Sequence, residues 1–282
     1  MLYRNFATEA EINAEYDPAV ISDRDAAIER FTQLSATASA AMPERFSRQF
    51  GATDAEYVDI FPCGVAGAPV HIFVHGGYWR ALSARQFAFV AQKLVDQGVT
   101  VVLTNYGLCP DIPIGDIVDQ TREAIAWVAR HAEQLAVDTE RLTLSGHSAG
   151  GHLAAMMLST DWTRYGLAPD LIKGVIALSG LFDLAPFRHS WLQESLNLTE
   201  AEVAAYSPIC LPIHGSAPVV LRFGGIEQSE FARQSKSYAE YLRAAGLEVD
   251  CQAIEGADHF TVLDPFLADD GEFIQLIKRY NQ

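Results

Sequence analysis

The chain has 282 residues, 49% of them hydrophobic, with 20 glycines and 12 prolines. That is long for one domain, but α/β enzymes reach roughly 250 residues around a single sheet, so one large buried core is feasible. The formal net charge of −16 repels polyanions, which makes nucleic acid and anionic membrane surfaces poor partners.

In chain order, residues 22–50 are expected to be helical, with Ile28, Phe31 and Leu34 at helical spacing. Short apolar runs then alternate with amphipathic segments. Strands are expected over 56–61, 70–74, 99–104, 142–145, 174–178, 219–223 and 249–254, and helices near 84–97, 116–132, 151–158, 229–245 and 266–280. Runs such as Val99-Thr100-Val101-Val102-Leu103 are apolar throughout, as in strands covered on both faces. The alternation predicts an α/β fold with a mostly parallel central sheet between two helical layers. Residues 181–215 break the rhythm and read as an insertion, a small cap over one end of the sheet. No repeat, low-complexity tract or linker divides the chain, so 1–282 is expected to be a single domain.

Cys63, Cys109, Cys210 and Cys251 are widely spaced, with no C-x-x-C pair and no Cys/His cluster at zinc spacing. No metal is expected; the thiols are expected to be reduced and mostly buried, in a cytoplasmic protein. Met1–Asp17 carries Arg4, Glu9, Glu11 and Glu15 and no apolar run, so it does not read as a signal peptide. No stretch approaches the roughly 20 apolar residues of a membrane span. The expected partner is a small-molecule substrate; a homodimer is an option the sequence leaves open.

Between the strand ending at Ser145 and the helix beginning at Gly151 lies Gly146-His147-Ser148-Ala149-Gly150. A G-x-S-x-G run also occurs as a plain small-residue turn. In a strand–turn–helix setting it lifts a serine hydroxyl clear of the sheet and aims a helix N-terminus at it, where developing negative charge is favoured. Another strand runs into His75-Gly76-Gly77-Tyr78-Trp79. Glycines there let bare backbone N–H groups meet a carbonyl oxygen as it becomes an oxyanion, and the N–H of Ala149 would be the second donor. Gly76, Gly77 and Ala149 are the expected oxyanion hole. His75 is expected to brace its loop rather than act as a base.

The general base should follow the last strand, which is where His259 lies. Of the other histidines, His71 falls in a strand, His131 and His152 in helices, and His189 and His214 in the insertion; His147 is expected to point away from the site. The acid should follow the penultimate strand, where Glu227 and Glu230 are the two carboxylates. Glu227, in the loop, is preferred to Glu230, which is placed to open the next helix. Asp258 is too close in sequence to His259 to orient it easily.

The motifs His75-Gly76-Gly77-Tyr78-Trp79 and Gly146-His147-Ser148-Ala149-Gly150, with the run Glu230-Phe231-Ala232-Arg233-Gln234-Ser235, resemble the kynurenine formamidase (arylformamidase) group of α/β-hydrolases. Weaker likenesses at Glu15-Tyr16-Asp17-Pro18, at 178–184 and at Ser207-Pro208-Ile209 extend the resemblance over nearly the whole chain. It implies an α/β-hydrolase fold, a triad of Ser148, Glu227 and His259, no cofactor, and hydrolysis of N-formyl-L-kynurenine to kynurenine and formate. Relatives of this type often carry aspartate at the acid position, so Glu227 is a departure. Tyr78 and Trp79, with Phe182, Trp191 and Tyr206, are candidates for an aromatic substrate pocket, although each would also suit the core. The alternatives are a carboxylesterase acting on small acyl esters with the same machinery, and a non-catalytic ligand-binding relative.

Overall fold

A computed structural model describes residues 1–281. Its strands are β1 (Phe46–Gln49), β2 (Tyr57–Phe61), β3 (Ala68–Val74), β4 (Thr100–Thr104), β5 (Val137–His147), β6 (Ile172–Leu178), β7 (Val219–Gly224) and β8 (Val249–Ile254). They form one sheet in the order β1-β2-β4-β3-β5-β6-β7-β8. The β1–β2 and β2–β4 pairs are antiparallel and the remaining pairs parallel. The helices are α1 (Glu9–Tyr16), α2 (Arg24–Ala41), α3 (Gln92–Asp96), α4 (Ile114–Arg130), α5 (Ala132–Leu135), α6 (Ala149–Leu158), α7 (Gln193–Leu196), α8 (Glu200–Tyr206), α9 (Ser229–Ala244) and α10 (Glu272–Tyr280).

All seven expected strands are present, and the sheet is mostly parallel with a helical layer on each face. The period of two in β3 shows how the layers form. Val70, Ile72 and Val74 join a core with α1, α4, α6 and α9, whereas Phe73 joins a second core with α2, α3 and α10. Among the described residues no helix is long and apolar enough to cross a membrane.

The structure corrects the expectation of one helix over 22–50. α2 stops at Ala41 because Met42, preceding Pro43, is driven out of the helical region, to φ −118° and ψ 70°. The remainder forms β1, whose Phe46 pairs with Ile60 of β2. Residues 84–97 divide into a tight 3-10 turn (Ala84–Val90) and α3; 266–280 yields the end of another 3-10 turn (Thr261–Phe266, with Pro265 inside it) and then α10. α1 was not anticipated. Its Thr8 and Glu11 make a reciprocal capping box. The cysteines are free, but only Cys109 is buried; Cys63 and Cys251 are half-buried and Cys210 is exposed.

The topology fixes where chemistry can occur. The chain leaves β3 for β4 on one side and returns to β5 on the other, so β3 and β5 are neighbours whose following loops diverge. Such a reversal opens a crevice beyond the carboxyl ends of the strands. The loop after β3 begins at His75, and the residue after β5 is Ser148.

Candidate active site

Ser148 occupies a strained turn, with φ 57° and ψ −118°, between β5 and α6. Single residues held in sparsely populated backbone regions cost of order 1–3 kcal/mol and persist only where their surroundings impose them. The surroundings do so here. The Ser148 amide donates to the Leu178 carbonyl at the end of β6 (2.8 Å). A Cβ on Gly150 would lie 2.0 Å from the Val74 carbonyl oxygen, so only glycine lets α6 start this close to β3. As the first residue of α6, Ala149 carries an N–H that the helix itself cannot use.

The loop after β3 is also strained. Gly77, Tyr78 and Trp79 follow one another with φ of 121°, 51° and 56°. His75 braces it: the ring stacks on Tyr106 (centroids 4.2 Å, planes 2° apart), and Nδ1 donates to the Gly76 carbonyl (2.7 Å). Burial pushes the His75 pKa down to about 4, leaving the ring neutral. Gly76 packs against the Ser148 turn, where a Cβ would meet the His147 carbonyl oxygen at 2.9 Å and Ser148 Cβ at 3.2 Å.

Glu227 lies in the turn between β7 and α9, with its side chain 1% exposed. Its Oε1 accepts a hydrogen bond from Ser179 Oγ (2.5 Å) and stands 3.4 Å from Nδ1 of His259, itself 5% exposed. The His259 ring is flanked by Phe231 (4.6 Å between centroids) and His147 (4.8 Å). Glu230, three residues on, faces elsewhere. It pairs with Arg233 at 2.6 Å and accepts from the Tyr16 hydroxyl at 2.6 Å. Asp258 caps the amides of Phe260 and Thr261 and accepts from Ser22 Oγ (2.6 Å). These hydrogen bonds hold its carboxyl down at about 2 against the opposing effect of burial.

A cavity of about 420 Å³ opens over this group, with Gly76, Gly77, Ser148 and His259 in its lining. That is within the roughly 300–1,000 Å³ of small-molecule sites. Tyr78 and Trp191 line it together, their rings edge-to-face at 5.7 Å. Trp79 is fully buried below the loop, its indole N–H donating to Nδ1 of His152 (3.1 Å), and is not part of the cavity lining. Phe182 stacks on Tyr238 in the core, and Tyr206 packs beside Gly115. Of the five aromatic candidates, two therefore reach the cavity.

Sequence reasoning missed three features. Part of the cavity wall comes from the N-terminal segment, through Pro18, Arg24, Ile28 and Phe31. The helical spacing of Ile28 and Phe31 showed an apolar face but not what it would cover. Ser179 donates to Glu227, and no local motif marks it. His147 does not point away: it lines the cavity, and its Nε2 donates to the carbonyl of His259 (2.7 Å).

The comparisons with known proteins agree with this fold. The family described as BD-FAE matches residues 60–242. A kynurenine formamidase of Danio rerio is 33% identical over 222 residues, 76% of this chain and 74% of that protein. The chain belongs to the kynurenine formamidase family. It is an α/β-hydrolase acting on an amide or ester bond. Among solved structures, a candidate thioesterase from Silicibacter sp. tm1040 superposes with a TM-score of 0.83 at 25% identity, covering 96% of this chain and 98% of that one. A thermophilic carboxylesterase from a metagenomic library shares the fold, with a TM-score of 0.73 at 19% identity over 93% of this chain and 99% of that one.

Proposed function

We propose that this family member hydrolyses an aryl formamide, N-formyl-L-kynurenine, to kynurenine and formate through an acyl-enzyme on Ser148. The observation that carries the reading is the buried Glu227–His259 pair, 3.4 Å apart, with His259 lining the same cavity as a strained serine, Ser148. Ser148 Oγ attacks the formyl carbon as His259 takes its proton. The carbonyl oxygen becomes an oxyanion between the N–H groups of Gly77 and Ala149, with Gly76 adjacent. One such donor is typically worth roughly 3 kcal/mol of transition-state stabilisation. Glu227 holds the Nδ1 proton of His259 and stabilises the imidazolium. The C–N bond breaks as His259 returns the proton to the departing aryl amine. Water, deprotonated by His259, then releases formate and restores Ser148. Tyr78 and Trp191 are assigned to the aromatic ring of the substrate. Four free cysteines are compatible with a cytoplasmic setting.

A second reading, cleavage of small acyl esters by the same residues, is favoured by the 25% identical candidate thioesterase, a name that denotes acyl transfer from a thioester to water. Steady-state kinetics separates the two. We expect kcat/KM on N-formyl-kynurenine to exceed that on p-nitrophenyl acetate, and the reverse order would move the protein to the esterases. Ser148→Ala should abolish both activities and labelling by a fluorophosphonate probe. Wild-type protein that takes up no label would return the chain to the non-catalytic relatives.

A further inference from the structure

The base is carried at one edge of the sheet. β8 is an edge strand, paired with β7 among the described residues, and its residues are half-buried or exposed. The loop after it bears His259, whose imidazole must be held over a serine at the end of β5, three strands inward. One buried side chain spans that gap. The His147 ring, 3% exposed, sits on the last residue of β5, and its Nε2 donates to the main-chain carbonyl of His259 (2.7 Å). Its opposite edge packs against the oxyanion loop, where a Cβ on Gly76 would lie 3.2 Å from Nδ1. Since Nε2 donates to a carbonyl, the proton of the neutral ring is there; Nδ1 is buried without a partner.

We propose that His147 is a positioning residue for the hydrolytic reaction: its ring fastens the His259 loop to the nucleophile turn and the oxyanion glycine, and so sets the imidazole relative to Ser148. The proposal rests on the reading of Ser148 and His259 as nucleophile and base. The chemistry requires that this fastener be uncharged, because its ring centroid is 4.8 Å from that of a group that becomes an imidazolium in the transition state. Burial first, and the neighbouring His259 second, push the His147 pKa well below that of an ordinary histidine. The titratable groups acting on the ring are His259 and Asp258.

Two variants of similar volume test this: His147→Leu removes the N–H donor, whereas His147→Gln offers an N–H at a comparable reach. Each is assayed on the better of the two substrates above, with active sites counted by the fluorophosphonate probe so that slow chemistry is separated from lost fold. Per active site, we expect His147→Leu to lower kcat about tenfold or more, with KM within about twofold and the acid limb of the kcat/KM profile displaced. His147→Gln should recover kcat to within about threefold of wild type, together with the wild-type acid limb. A leucine variant with wild-type kcat and acid limb overturns the proposal, as does a glutamine variant as slow as the leucine one. If the leucine variant does not fold, the glutamine variant decides alone, because a tenfold fall there removes the positioning role. Labelling that survives in Ser148→Ala would instead refute the nucleophile assignment, whatever the His147 variants do.

Discussion

At the scale of single residues, Glu227 and Glu230 show how three positions of chain separate two kinds of carboxylate. Glu227 stays in the turn, where its oxygen faces Nδ1 of His259 and takes the Ser179 hydroxyl. Glu230 enters the first turn of α9 and is consumed by Arg233 and Tyr16. The two should therefore fail differently. Glu227→Gln keeps the shape but removes the negative charge facing the imidazole, and kcat should fall by about 10²–10⁴-fold with little change in Tm. Glu230→Gln removes the negative charge paired with Arg233 and should lower Tm by roughly 5–10 °C while kcat/KM stays within about threefold. Thermal melts and steady-state kinetics on both variants check this; a glutamine at 230 that abolishes turnover in folded protein would exchange the two roles.

At the scale of elements, the N-terminal segment and α9 form a latch behind the site. Tyr16 donates to Glu230 and accepts from Gln234 Nε2 (2.9 Å), and Gln234 Oε1 in turn accepts the amides of Phe182 and Asp183. Arg233 donates to the Tyr3 hydroxyl (3.0 Å), which donates to Asp183 (2.6 Å). Glu15 receives Ser229 Oγ and the Glu230 amide, Gln228 donates to the Asp17 carbonyl, and the Tyr78 hydroxyl donates to the Tyr16 carbonyl. The run Glu230–Ser235, which carried part of the family resemblance, is thus mainly a receptor for residues 3–17 rather than a source of catalytic groups. Through it the Glu227 turn and the loop after β3 share one support. Tyr16→Phe takes one hydrogen bond from each of two buried polar partners at once and should cost about 1–3 kcal/mol, a fall of roughly 2–10 °C in Tm. An unchanged melting curve would mean that the latch is not under load.

At the scale of the whole molecule, the core holds an unusual set of neutral imidazoles. Burial pushes the pKa of His71 down to about 3 and those of His75 and His152 to about 4, and His147 also lies well below its ordinary value. Each binds its proton in the unfolded chain near pH 6.5 but not in the folded one. Their contribution to stability is therefore intact above pH 6.5 and erodes as pH falls below it, by on the order of a kcal/mol per unit for each ring that stays neutral in the fold. Urea midpoints at a series of pH values between 7.5 and 4.5 should decline steeply over this interval; a flat profile down to pH 5 would show that these rings titrate in place. The apolar runs, and the order of glycine loop, serine turn, loop glutamate and histidine, were legible in the sequence because strand burial and turn chemistry are written within five to ten neighbouring residues. So were the sheet type and the place of Ser148. Loop position already favoured Glu227 over Glu230 in the sequence; the Ser179 contact to Glu227, the burial of Trp79, the cavity wall from 17–31 and the turning inward of His147 were decided by tertiary structure alone. Each depends on contact between residues far apart in the chain, as Tyr16 and Glu230 are by 214 positions. No local pattern encodes which of two polar groups will find its partner once the sheet has closed around it.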